Sequence, residues 1–138
     1  MLALIAVSLA GGIVLGQLTS SATVSNTGTV KSVGVGIYSD IDCLNSVNSI
    51  DWGVIEPGEQ IVKSIYIRND GNADVQLYLT VENWVPATAA NYVTLTWDCE
   101  GQTLTPNQVK HANLTLSISS SAESITGFAF DMVISGMG

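Results

Sequence analysis

Charge is what this sequence has least of. Twelve acidic and four basic residues make up 12% of its 138 residues, about half the usual charged share of ~25%. None of them precedes Lys31. The balance is a formal net charge of −8, and a surface of that sign repels phosphate backbones, which excludes nucleic acid as a partner. Histidine occurs once, as His111, in a strand register that faces solvent. The chain has no G-x-S-x-G elbow, no phosphate loop and no H-E-x-x-H helix, so nucleophilic, nucleotide and zinc-peptidase chemistry all lack their residues. With two cysteines, no C-x-x-C pair and no second histidine, a zinc centre is excluded as well. The expectation is a protein that is not an enzyme and carries no cofactor.

What stands in place of charge is an apolar start and a long polar, uncharged β pattern. Residues 1–18 read MLALIAVSLAGGIVLGQL, at the lower edge of what crosses a bilayer and equally suited to the apolar region of a secretory signal. The positively charged lead-in of such signals is missing. Three readings follow: a cleaved signal peptide, a helix retained after removal of a charged leader, as type IV pilins mature, or a buried cytosolic helix. Residues 1–20 form this segment, and residues 21–138 are left for one domain of ordinary size.

From Ala22 onward the apolar residues recur every second position. An arm of about residues 22–37, rich in Ser, Thr and Gly, carries Val24, Val30, Val33, Val35 and Ile37. Ile50 and Trp52 lead to Glu56-Pro57-Gly58, the residue pairing of a type II turn. A long strand around Ile61, Ile65 and Ile67 ends at Asn69-Asp70-Gly71-Asn72, which predicts a hairpin into Val75, Leu77, Leu79 and Val81. Residues 87–91 are irregular, with room for one helical turn. Val93, Leu95 and Trp97, then Leu114, Leu116 and Ile118, then Phe128, Phe130, Met132 and Ile134, form inward faces. Seven to eight strands with turns between them predict an all-β fold, a single β-sandwich of jelly-roll or Ig-like type.

Three kinds of site are legible. Export together with an even cysteine count favours a disulfide between Cys43 and Cys99, closing a loop of about 57 residues worth ~4 kcal/mol; two buried free thiols are the alternative. Asn113-Leu114-Thr115 is an N-glycosylation sequon, placing an exposed acceptor at Asn113. Asp40 and Asp42, two apart in an extended run, share a face. They suit solvation of a loop better than glycoside hydrolysis, and they are the candidates for calcium, which needs six to eight oxygens.

The run Ile50-Asp51-Trp52-Gly53-Val54-Ile55-Glu56-Pro57-Gly58 sets a Pro-Gly turn ahead of Ile65-Tyr66-Ile67-Arg68-Asn69-Asp70-Gly71-Asn72, a strand ending in Asn-x-Gly. It resembles secreted archaeal β-domains, the bacterial biofilm fibre proteins of the TasA/camelysin type, and the archaeal bundling-pilus subunits similar to them. Asn83-Trp84 and Phe128-Ala129-Phe130 fit the archaeal version, and the likeness runs from Val30 onward. It implies an extracellular or cell-surface structural subunit that builds a homopolymeric filament by donor-strand complementation. The arm 22–37 would be the donor, inserting Val24, Val30, Val33, Val35 and Ile37 into the next copy. The alternative within the chain is that this arm is the first strand of its own domain. Neighbouring filaments or the cell surface are the further partners implied, with membrane contact only through residues 1–18 if they are retained. Two other layouts stay open: a type IV pilin with the apolar helix in the filament core, and a membrane-anchored monomeric domain that binds calcium or a glycan.

Overall fold

Runs of period two become strands that bury every second side chain. The computed structural model describes residues 26–122 and 127–138, so the apolar segment 1–18 and Val24 lie outside it. Nine strands are described: β1 (Thr27–Val33), β2 (Gly36–Tyr38), β3 (Ser49–Asp51), β4 (Gln60–Arg68), β5 (Val75–Val85), β6 (Val93–Trp97), β7 (Thr103–Leu104), β8 (Val109–Ile118) and β9 (Ala129–Met137). One turn of 3-10 helix, Ala87–Asn91, joins β5 to β6. The strands form a five-stranded sheet, β3-β1-β9-β5-β7, facing a four-stranded sheet, β2-β4-β8-β6. The protein is an all-β sandwich.

Its core is filled from both inner faces. Ile65, Ile67, Ala112, Leu114 and Leu116 come from the four-stranded sheet, and Leu77, Phe130, Met132 and Ile134 from the five-stranded one. Each fully buried aliphatic side chain contributes ~1.5–3 kcal/mol. Trp52, just past β3, is 2% exposed and lies beneath β1. A Cβ at Gly28 of β1 would stand 3.2 Å from the Phe130 ring and 3.3 Å from Trp52 Nε1. Only glycine lets that strand lie over both rings without displacing them. The Pro57-Gly58 turn forms as expected, with the Glu59 N–H donating to the Glu56 carbonyl at 3.1 Å.

The Asp70-Gly71 hairpin does not form. β4 pairs with β2 and β8, whereas β5 pairs with β7 and β9, so residues 69–74 arch from one sheet to the other. The cause is Asn69, which is wholly buried. Its side-chain amide donates to the Ala73 carbonyl at 2.8 Å and the Leu104 carbonyl at 3.0 Å, while its Oδ1 accepts the Gly71 N–H at 2.9 Å. Its backbone N–H donates to Gln108 and its carbonyl accepts from Asn107. A two-residue hairpin would leave that amide without these partners. The arch exchanges local pairing for a plug that joins both sheets at one end.

Replacing Asn69 with leucine keeps the branched shape and heavy-atom count of the side chain and strands the Leu104 carbonyl and the Gly71 N–H. The expected loss is about 2–3 kcal/mol of unfolding free energy in urea titration with an unchanged slope. A loss within experimental error would show that the arch does not depend on this side chain.

Candidate assembly surfaces

β1 holds its place through its main chain far more than through its side chains. It runs parallel to β9 from Thr27↔Ala129 to Val33↔Ser135, and antiparallel to β3 over Thr27–Thr29. Of its seven residues only Gly28 and Val30 are buried. Asn26, 6% exposed, clamps its start. The Asn26 amide donates to the Gly53 carbonyl at 2.6 Å, its Oδ1 accepts the Phe128 N–H at 3.3 Å, and its own carbonyl accepts the Trp52 N–H at 2.7 Å. On the outer face Lys31 Nζ lies 2.9 Å from Asp131 Oδ2, which also accepts from Asn83 Nδ2 at 2.7 Å. The Asn83 amide first, and then Lys31, hold the Asp131 carboxyl below its ordinary range.

At the far end of β1 the chain changes sheets. Gly34 adopts φ +79°, a left-handed conformation that favours glycine, and a Cβ there would stand 2.6 Å from the Gly136 carbonyl oxygen. Val35 and Ile37 then enter the core, with Ile37 in β2 of the opposite sheet. The arm 22–37 is therefore two strands in two sheets. Val30, Val35 and Ile37 fill the core of their own domain, and Val33 is 60% exposed.

A second feature lies on the flank where β5 and β6 face each other. β7 pairs with β5 only at Val75 and Gln76. Beyond it, Leu77 exchanges main-chain bonds with Gly101 and Gln102, and the Leu79 N–H donates to Glu100 Oε1 at 3.0 Å. The same oxygen accepts the Trp97 indole N–H at 2.7 Å. Glu100 thus supplies the acceptor that a neighbouring strand would have offered, and links the two sheets at that point. Among the described residues, no strand pairs with β5 past this carboxylate on that side, nor with the outer edge of β6. Between them is a cleft of about 240 Å³ lined by Leu79, Leu95, Thr96, Trp97 and Glu100.

The remaining sequence candidates lie apart from these surfaces. Asp40 caps its own loop: its carboxylate accepts the backbone N–H groups of Leu44 and Asn45 at 3.0–3.2 Å. Asp42 is not drawn into a joint site with it, and among the described residues no three His, Cys, Asp or Glu side chains converge as metal ligands. Asn113 sits mid-strand in β8 with its amide donating to Asp98 Oδ2 at 3.1 Å and its Oδ1 accepting from Ser64 at 3.0 Å. His111 is exposed and tilts against Tyr66 at 5.2 Å between ring centroids.

The expected Cys43–Cys99 bridge is absent, and both residues are free, buried thiols. Cys43 follows β2 and Cys99 follows β6, the opposite edges of one sheet. Those strands are three interstrand steps apart, about 14 Å, whereas a disulfide needs Cα atoms within ~7 Å. Cys99 Sγ lies 3.4 Å from Asp98 Oδ1. Burial first, and then that carboxylate, push its thiol up to about 11. Burial would raise Asp98 too, but hydrogen bonds from Asn113 and Cys99 hold its carboxyl below the ordinary range. Sequence reasoning missed Asn26, Asn69 and Glu100. Polar residues at strand ends were the available signal, and nothing in the spacing separates these from their solvated neighbours.

Comparison with protein-family models and with characterised protein sequences finds no match. Among solved structures, the secreted serine protease VesC from Vibrio cholerae is similar over 61% of this chain and 20% of its own, at 19% identity and a TM-score of 0.33. The chain thus spans about a fifth of that protease. The ASH/PapD-like domain 7 of human CEP192 is similar over 94% of this chain and 96% of its own, at 10% identity and a TM-score of 0.38. The sandwich rests on its own strand pairing.

Free, buried thiols predict that the native protein leaves both cysteines unreacted toward a thiol reagent at neutral pH and yields two per chain when denatured without reductant. A yield of none would establish the bridge instead. The Cys99 thiol rises from 9.0 to about 11 on folding. Its contribution to stability is therefore complete below the lower value and lost as pH climbs through the upper one. The thermal midpoint should fall across that window, and less so in Cys99→Ala.

Proposed function

We propose that this protein is a non-enzymatic structural subunit of an extracellular filament, polymerising head to tail by exchange of its N-terminal strand. The observation that carries the reading is the seating of β1. It lies between β3 and β9, parallel to β9, contributes only Val30 as a buried apolar side chain, and is joined to the body at Gly34. Main-chain bonds of this kind are the currency of β-augmentation, with alternate side chains setting register. An identical slot exists in every copy, so a strand donated by a neighbour recovers the contacts it gave up at home. A head-to-tail contact that does not close generates a fibre.

The resemblance to biofilm fibre and bundling-pilus subunits points the same way, toward the cell surface and toward lateral association of filaments. On the outer faces Lys31 pairs with Asp131 and Arg68 with Asp70, so these charges neutralise one another locally. The net charge of −8 on each copy opposes such association at long range, and salt screens that term within about 10 Å at 0.1 M. Assembly should therefore speed up as salt is added.

The test is a cysteine pair at Thr27→Cys and Ala129→Cys, which sit opposite each other across β1 and β9. Oxidised filaments should run as a ladder of covalent multimers on a denaturing gel. Filaments that yield only internally bridged monomers would overturn strand exchange. A preparation that stays monomeric by negative-stain imaging at high concentration and high salt would overturn the filament itself.

A further inference from the structure

The geometry points to the β5–β6 flank as a second docking site, taken by an extended run from the uncharged segment 1–25 of whichever copy supplies β1. This deepens the strand-exchange reading by assigning a seat to the chain ahead of the exchanged strand.

The flank has what an added strand requires. The Tyr92 carbonyl accepts the Ser119 N–H at 2.8 Å, so by the alternation of an antiparallel ladder Thr94 and Thr96 also face β8. Val93, Leu95 and Trp97 turn their N–H and C=O groups outward, where no described strand meets them. Leu79, Val81, Trp84, Leu95 and Trp97 are only partly buried and pack at the margin of the core. An incoming strand that pairs with β6 would set every second side chain into the cleft between Leu79, Leu95 and Trp97. Glu100 bounds the cleft on its β5 side, where the carboxylate takes the Leu79 main-chain N–H and the Trp97 indole N–H and leaves the main-chain groups of β6 free.

Three observations choose the occupant. Asn26, where the described chain begins, lines a small cavity of about 40 Å³ with Val93, Ile118 and Phe128, so the described chain starts at the Val93 end of β6. A chain leaving there and following β6 toward Trp97 runs antiparallel to it. The reach is ample: 25 extended residues span ~80 Å, against ~17 Å for a five-residue strand. The segment also carries no Asp, Glu, Lys or Arg, so it brings no charge to be desolvated in a cleft whose one carboxylate, Glu100, is already engaged by Leu79 and Trp97.

The experiment uses the full chain. Hydrogen exchange at Val93, Leu95 and Trp97 is followed together with a photo-cross-linking amino acid placed at Thr96, an exposed residue at the cleft. The β4 and β8 amides report whether the fold is intact. Docking predicts exchange at the three amides slower than at an open edge by about tenfold or more, and cross-links that map within residues 1–25. Fast exchange at these amides with β4 and β8 protected would overturn the proposal, as would cross-links to any other segment or none. Imaging the same sample separates the two readings. Monomers that cross-link to 1–25 keep this inference and remove the filament, while filaments with an unprotected β6 edge do the reverse.

Discussion

Backbone amides that leave a sheet at the end of a sandwich have no ladder to join, and burying them unpaired costs more than any one side chain returns. Two asparagines resolve this here, one at each end, and they are the buried polar side chains among the described residues. Asn69 joins the arch after β4 to β7 and the turn before β8. Asn26 joins the start of β1 to the chain after β3 and the start of β9. An asparagine can do this because its amide donates and accepts at once and carries no charge to desolvate. Between these two points the core is built of apolar side chains, with the Trp52 indole N–H buried among them without a partner.

The seat of β1 follows from the second of these. Held at its start by Asn26 and turned at its end by Gly34, it inserts between β3 and β9 with little side-chain burial of its own. A strand that packed a full row of large side chains would bury far more apolar area; β1 is held mainly by main-chain bonds over a glycine and a valine. The same economy explains the composition. Threonine, serine and glycine on β1 keep the strand polar on its outer face and thin on its inner one, and make it a poor separate element until it is paired.

How much of this could be read from the sequence divides along physical lines. Period two placed Leu114, Leu116 and Ile118, and Phe128, Phe130, Met132 and Ile134, on buried faces, and the structure buries every one. The sandwich and the helical turn at Ala87–Asn91 were legible for the same local reason. What failed was long-range. Asp70-Gly71 has the chemistry of a hairpin, but the decision between hairpin and arch belongs to Asn69 and to Leu104, thirty-five residues away. The cysteine pairing failed because an even count says nothing about which sheet edge each residue meets. The arm 22–37 read as one strand because alternation continues across Gly34, although the chain there crosses to the other sheet.

Proteins blunt exposed edges with short strands, bulges, proline or inward-facing charge. Here β2 and β3 span three residues each and β7 two, too short to template another chain. β5 is interrupted at its open end by a register shift between Glu82 and Val85, with Asn83 at φ +56°. β6 has none of these devices: Val93-Thr94-Leu95-Thr96-Trp97 is five residues long, regular and uncharged, and it faces a cleft. Among the described residues, three of the four sheet edges thus carry such a device and the β6 edge does not. The uncharged side chains of β6 put no local charge in the way of a pairing strand, whereas the net charge of −8 on each copy repels a second copy at long range.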